Sequence, residues 1–228
     1  PDQAQVDAYL PPYVPRQVLD PAEPVTIGAM VGPEAFTEVR YLAHAKQLQA
    51  LDLLPQLAAE FKQQFGRDSG GLVRPYRIDD ADTIVIALGS VLGTIKDTVD
   101  ELREQGVKIG VLGITSFRPF PIEAIRAVTG HAQRIVVIEK CFAVGIGGIV
   151  SRDVRSAVQS RPQPVYAVVA GLGGRAITQA SLHKLLMQAV ADQLELLTFL
   201  DLDWGVVNRV LEREKQQRRS GPVAEGIL

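Results

Sequence analysis

The clearest pattern along the chain lies between Asp82 and Pro121. Thr83–Leu88 is a continuous apolar, β-branched run with the length of a strand buried on both faces, and Gly89-Ser90 stops it. From Thr94 to Gln105 the apolar positions Ile95, Val99 and Leu102 recur at helical spacing between charged residues, until Gly106 ends the helix. Lys108–Thr115 is a second buried run. Two such strands joined by a crossover helix lie parallel, with a right-handed connection. The alternation then continues with a helix over Pro121–Thr129, a strand over Arg134–Glu139, a helix over Ile149–Ser160, a strand over Val165–Ala170 and a helix over Ile177–Leu197. Strands and helices in this order predict an α/β fold with a doubly wound, mostly parallel sheet over residues 79–195.

Other segments flank this unit. Residues 1–33 carry Pro11, Pro12, Pro15, Pro21, Pro24 and Pro33, so neither a helix nor a central strand should propagate there. They form an extended proline-rich arm, either an interdomain linker or, through Tyr9, Leu10, Tyr13 and Val14, a recognition segment. Residues 34–78 form a helical connection, in which Leu51, Leu54, Ala58, Phe61 and Phe65 make one apolar stripe. Pro55 should kink or divide that helix, and Leu72–Ile78 can run extended beyond it. A stripe of this kind is expected to lie partly exposed, or to be covered by a neighbour. Residues 196–228 read as a basic-ended helix, Trp204–Arg219, and a flexible tail, Ser220–Leu228.

Composition narrows the classes. The 228 residues are 46% hydrophobic with a net charge of −2, which gives no global pull toward nucleic acid or a membrane. No apolar run is long enough to span a bilayer, and the opening residues lack a signal-peptide pattern, so the expected location is the cytoplasm. The one cysteine, Cys141, can neither close an internal disulfide nor by itself hold an iron–sulfur cluster or a structural zinc.

In a doubly wound sheet the loops after the strands carry ligand chemistry. Gly89, Ser90, Gly93 and Thr94 join a strand to a helix start whose amides could hold an anion, or Ser90 or Thr94 could simply cap the helix. The lysine of a P-loop and the G-x-G-x-x-G spacing are both missing. Gly145–Gly148 has the same two readings. Glu139 and Lys140 precede it, but neighbouring strand residues point to opposite faces and do not act as one acid–base unit. Gly171, Gly173, Gly174 and Arg175 make the strongest anion or interface loop, the glycines allowing close backbone approach and the arginine offering a fork; a tight turn with a surface arginine is the alternative. Cys141 has no base placed beside it by any motif, since neither His131 nor His183 is so placed, and His44 has no second metal-binding side chain near it. No catalytic, cofactor-binding or metal residue is assigned.

Several of these stretches carry a family resemblance. In order they are Pro11-Pro12-Tyr13, Leu19-Asp20-Pro21, Phe36–Tyr41, Phe65-Gly66-Arg67, Ala87–Thr94, Phe117–Pro121 and Ala170–Arg175. Together they resemble the C-terminal part of the α subunit of pyruvate:ferredoxin oxidoreductase, or of a close 2-oxoacid:ferredoxin oxidoreductase relative. The resemblance implies a transketolase C-terminal-like domain over residues 79–195, preceded by the end of a pyrimidine-binding domain. It implies a structural and assembly role in an enzyme that oxidatively decarboxylates a 2-oxoacid to acyl-CoA and CO2. That enzyme would use thiamine diphosphate, Mg²⁺, [4Fe–4S] clusters and CoA, with ferredoxin as acceptor, and this chain would meet its other subunits. No cofactor is expected in this chain, because the G-D-G diphosphate motif and the cluster cysteines are absent. The alternative class is a free-standing binding module for an anionic ligand such as a nucleotide or CoA.

Overall fold

A computed structural model describes residues 1–28 and 30–216. It opens on a helix that the proline-rich arm was not expected to hold: α1, Gln3–Tyr9, lies ahead of Pro11, so no ring interrupts it. A capping box starts it, with the Gln5 amide donating to Asp2 Oδ1 at 2.9 Å and the Asp2 amide to Gln5 Oε1 at 3.0 Å. Helix α2, Phe36–Phe65, runs on through Pro55 without dividing, since the ring removes a single backbone bond from 30 residues. Leu51, Leu54, Ala58, Phe61 and Phe65 are half-buried while the residues between them are exposed, and α2 holds no fully buried residue. Tyr9 meets Phe65 edge-on at 5.2 Å, so α1 covers the far end of the stripe.

The remaining elements are β1 (Val73–Tyr76), β2 (Thr83–Ala87), α3 (Val91–Glu104), β3 (Ile109–Ile114), α4 (Ile122–Thr129), β4 (Arg134–Glu139), β5 (Phe142–Ala143), β6 (Gly147–Gly148), α5 (Val150–Val158), β7 (Val165–Val169), α6 (Gln179–Val190), β8 (Leu197–Phe199) and α7 (Trp204–Gln216). Six strands form one sheet in the order β1-β3-β2-β4-β7-β8. All neighbours pair parallel except β1, which runs antiparallel to β3 on the edge. The predicted α/β doubly wound, mostly parallel sheet is therefore present, and β1 and β8 carry it to either side of residues 79–195.

Burial on both faces explains the unbroken apolar runs. Ile95, Val99, Leu102, Leu182 and Leu186 of α3 and α6 pack on Val85, Val111, Val136 and Val168. Ile125 and Val154 of α4 and α5 pack on Ile84, Ile86, Leu112, Ile135 and Val137, from the opposite side.

A further misplacement in the sequence pattern is the end of α6. The helix was expected to reach Leu197; it stops at Val190, and Leu197 begins β8 instead. Asp192 turns the chain with φ of 53°, a left-handed conformation that aspartate tolerates better than most residues. Its carboxylate is held by a fork from Arg134 of β4, Nε to Oδ1 at 2.9 Å and Nη2 to Oδ2 at 2.8 Å, and Tyr166 Oη donates to Oδ1 at 3.3 Å. Of the helix expected over Trp204–Arg219, α7 reaches Gln216; its last residues and the tail Ser220–Leu228 lie outside the described residues.

The Arg134 fork holds the Asp192 carboxyl below its usual value of 3.8, against the opposing effect of burial. An aspartate whose folded value is depressed adds stability that is fully present above its unfolded value and fades as pH falls through the folded one. Asp192 is 56% exposed. Solvent screening therefore limits its contribution to about 1 kcal/mol or less. Asp192→Asn is expected to be slightly less stable than the parent at pH 7, with the gap closing below pH of about 4. Urea titrations at both pH values check this, and a gap that widens in acid would contradict it.

Candidate functional site

Three loops at the carboxyl ends of the parallel strands enclose a cavity of about 460 Å³. The β2–α3 loop supplies Leu88, Gly89, Ser90 and Val91, with Thr94 from the first turn of α3. The end of β4 supplies Ile138, Glu139, Lys140 and Cys141, and the loop after β7 supplies Gly171, Gly174, Arg175 and Ile177. Thus Gly89, Ser90, Thr94, Gly171, Gly174 and Arg175, far apart in sequence, line one space, while Gly93 and Gly173 are not part of its lining.

The loops after β2 and β4 differ from their expected local forms, whereas the loop after β7 is the tight turn with an exposed arginine that was one of its two readings. Ser90 stands at the N-cap of α3 but makes no side-chain cap bond, because its backbone is already helical at φ −68° and ψ −22° rather than extended. Thr94 does not cap either: it lies one turn inside, and its carbonyl accepts from Thr98 Oγ1 at 2.8 Å. The start of α3 therefore reaches the cavity without a side-chain acceptor of its own. Helix α6, by contrast, is capped by Thr178 Oγ1, which accepts from the Ser181 amide at 3.1 Å.

The Gly145–Gly148 stretch is not an open anion loop. It forms a short hairpin, β5 with β6, whose tip carries the exposed Val144 and Ile146. The helix start behind it already holds a carboxylate: Glu139 Oε2 accepts from the amides of Ile149 (2.8 Å) and Val150 (2.7 Å), and Oε1 accepts from Ser151 (2.9 Å). Glu139 is 5% exposed. An intramolecular anion thus occupies the positive end of α5, which removes that site from ligand binding and Glu139 from acid–base work. The sequence signal for this cap was thin, a carboxylate ending a strand ahead of a glycine-rich return to helix.

The loop after β7 tightens into a 3-10 turn over Leu172–Gly174, with positive φ at Gly171 (75°), Gly173 (63°) and Gly174 (85°). Within it the Gly174 amide donates to the Gly171 carbonyl at 3.2 Å and the Arg175 amide to Leu172 at 3.2 Å. The Arg175 side chain is exposed, and its Nη1 donates to the carbonyl of Asp201, beyond β8. The guanidinium thus has a use inside the fold that the sequence did not suggest. That acceptor is neutral, and among the described residues Arg175 forms no ion pair.

Lys140 and Cys141 are exposed and join the lining, a placement the sequence did not reveal. Neither His131 nor His183 is part of it: His131 Nε2 bonds the Ile78 carbonyl at 2.7 Å, and the His183 ring lies 3.4 Å from Gln105 Nε2. Cys141 therefore has no histidine base in the cavity. Among the described residues no three His, Cys, Asp or Glu side chains gather as metal ligands, and no helix is long and apolar enough to cross a membrane. The cavity holds two cations, Lys140 and Arg175, against one carboxylate that three amides already engage.

Comparison with known proteins bears on the chain as a whole. Residues 81–182 match the model for the pyruvate:ferredoxin oxidoreductase core domain II. The chain is 39% identical over 188 residues to the pyruvate synthase subunit PorA of Methanosarcina barkeri, an alignment covering 81% of this chain and 47% of that protein. It is 32% identical over 196 residues to the ketoisovalerate oxidoreductase subunit VorA of Pyrococcus abyssi, covering 85% and 48%. Among solved structures, a split-gene transketolase in an inactive β4 tetramer aligns with 53% of this chain and 42% of its own, at a TM-score of 0.43 and 17% identity. The chain spans about half the length of the curated relatives it matches.

Proposed function

We propose that this chain, whose residues 81–182 carry a pyruvate:ferredoxin oxidoreductase core domain II, is the structural and assembly part of a multi-subunit 2-oxoacid:ferredoxin oxidoreductase. The observation that carries the reading is extended similarity to enzyme subunits without the residues of an active centre. Four-fifths of the chain aligns with PorA at 39% identity. A [4Fe–4S] cluster takes four thiolates, and the sequence has one cysteine. No group of three or more His, Cys, Asp or Glu side chains that could hold Mg²⁺ is present among the described residues. The residues present do not fit an iron–sulfur cluster or the metal–diphosphate end of thiamine diphosphate, so no chemical step is assigned to them. Other parts of the assembly would hold those groups, together with CoA, and pass electrons to ferredoxin.

Pyruvate is the proposed 2-oxoacid, because the pyruvate synthase subunit is the more similar of the two relatives. The half-exposed stripe of α2 and the exposed side chains of the arm, Tyr13 at 88% and Val14 at 80%, fit burial against a neighbouring domain or subunit. The lone exposed thiol suits a reducing compartment, and the proposed location is the cytoplasm.

The test is purification of the tagged 228-residue chain from its native host. Cluster-bearing and diphosphate-binding polypeptides are expected to copurify, and the complex should reduce a viologen dye with pyruvate, thiamine diphosphate, Mg²⁺ and CoA. The chain purified alone from a foreign host should not. A chain that is always recovered alone, or one that turns over pyruvate by itself, would overturn the reading.

A further inference from the structure

We propose that the cavity at the carboxyl edge of the sheet binds a phosphate-bearing small molecule, with Arg175 and Lys140 as its cationic contacts. The topology is the first argument. The parallel strands run in the order β3-β2-β4-β7-β8, so the chain steps from β2 outward to β3, returns across it to β4 and then continues the other way. The loops after β2 and β4 diverge at this reversal, which is where a doubly wound sheet opens a crevice for ligands. The cavity is lined by these two loops and the one after β7.

The charges are the second argument, and they are independent of the topology. Arg175 and Lys140 reach the lining from different loops, and both side chains are exposed. Arg175 spends one guanidinium nitrogen on a neutral carbonyl, that of Asp201, which leaves its charge uncompensated. Glu139, the carboxylate in the lining, is turned onto the amides of α5 and does not oppose the two cations. The start of α3, left without a side-chain cap, adds the positive end of its dipole, although the Leu92 and Gly93 amides already donate to the Gly89 and Ser90 carbonyls at 3.3 Å. The hydroxyls of Ser90 and Thr94 add further donors to the same wall.

Size and the remaining lining suit a small organic phosphate. The volume of about 460 Å³ falls within the range of roughly 300–1,000 Å³ typical of small-molecule sites. The half-buried Leu88, Val91 and Ile177 give the non-phosphate part an apolar surface to lie on. The proposal goes beyond the assembly role and stands apart from it, because the chain can bind a phosphate whether or not other subunits copurify.

The test is calorimetric titration of the full chain with inorganic pyrophosphate at low salt. One saturable site is expected, weakening roughly tenfold or more in both Lys140→Ala and Arg175→Gln. Glutamine keeps a neutral donor for the Asp201 carbonyl, so the fold is retained while the charge is lost, and circular dichroism verifies it. Lys46→Ala, on the exposed face of α2, should bind as the parent does. Absence of saturable binding, or equal binding by the parent and both cavity variants, would overturn the proposal. In either case the cations would be left to a neighbouring subunit's carboxylates or to solvent.

Discussion

Replacing Glu139 by alanine is expected to lower the stability of the chain by about 3 kcal/mol or more, the largest effect of any polar substitution near the cavity. The carboxylate accepts hydrogen bonds from three backbone amides at once, at 2.7 to 2.9 Å. Two of those amides belong to Val150 and Ser151, which are 1% and 0% exposed, so water cannot readily take the place of the lost acceptor. An ordinary exposed N-cap loses about 1 kcal/mol on truncation; two buried donors left without partners add about 1–3 kcal/mol each. Glu139→Gln should fall between parent and alanine variant, because its one remaining oxygen still accepts while its amide nitrogen faces a donor. Urea unfolding measures both, and an alanine variant within about 0.5 kcal/mol of the parent would mean the cap is not structural.

Gly148→Ala should cost about 2–4 kcal/mol, and most of that cost should vanish when Glu139 is already alanine. A Cβ at this position would lie 2.0 Å from Glu139 Oε1 and 2.6 Å from Ser151 Oγ. The clash is with the end of a side chain, which would ordinarily swing away at little expense. Here the carboxylate is pinned by its three amides, so moving it breaks the bonds that start α5. In the Glu139→Ala background only the serine hydroxyl remains close, and a rotamer change relieves it. A double-mutant cycle reads the coupling directly. Simple additivity of the two losses would show that Gly148 answers to something other than the carboxylate.

The two substitutions also separate the roles of two neighbouring helix starts. Both α3 and α5 begin at the carboxyl edge of the sheet, beside the same cavity. Helix α5 has its anion built in, at Glu139, whereas α3 starts without a side-chain cap. Pyrophosphate binding is therefore expected to respond to Arg175 and Lys140.

What the sequence alone determined is the layered part of the fold. Residues 84–87, 109–114, 135–138 and 165–170 carry no charged side chain because both faces of each strand are covered, and that condition is written locally along the run. The stripe of α2 and the amphipathic spacing of α3 are likewise local, and the half-buried positions of α2 are those the spacing marked. The order of these elements, with crossover connections of one hand, then made a parallel sheet and placed its loops at one edge. Helix α1 was missed: the prolines read as an extended arm, whereas the capping box of Asp2 and Gln5 starts seven helical residues ahead of Pro11.

Tertiary structure decided what depends on contacts between distant residues. The break after Val190 has no glycine or proline to announce it; Asp192 turns there because Arg134, 58 positions earlier, holds its carboxylate. Alternation along the strand separated Glu139 from Lys140 but gave Glu139 no partner, and only the return of the chain through β5 and β6 brings the α5 amides onto it. Arg175 looked like a charge the fold could spare until the turn after β8 carried the Asp201 carbonyl to it. Lys140 and Arg175 share a cavity only because β4 and β7 pair side by side in register. Periodicity records which face of an element is buried. Which polar group meets which is set by the strand order, and no local pattern carries that.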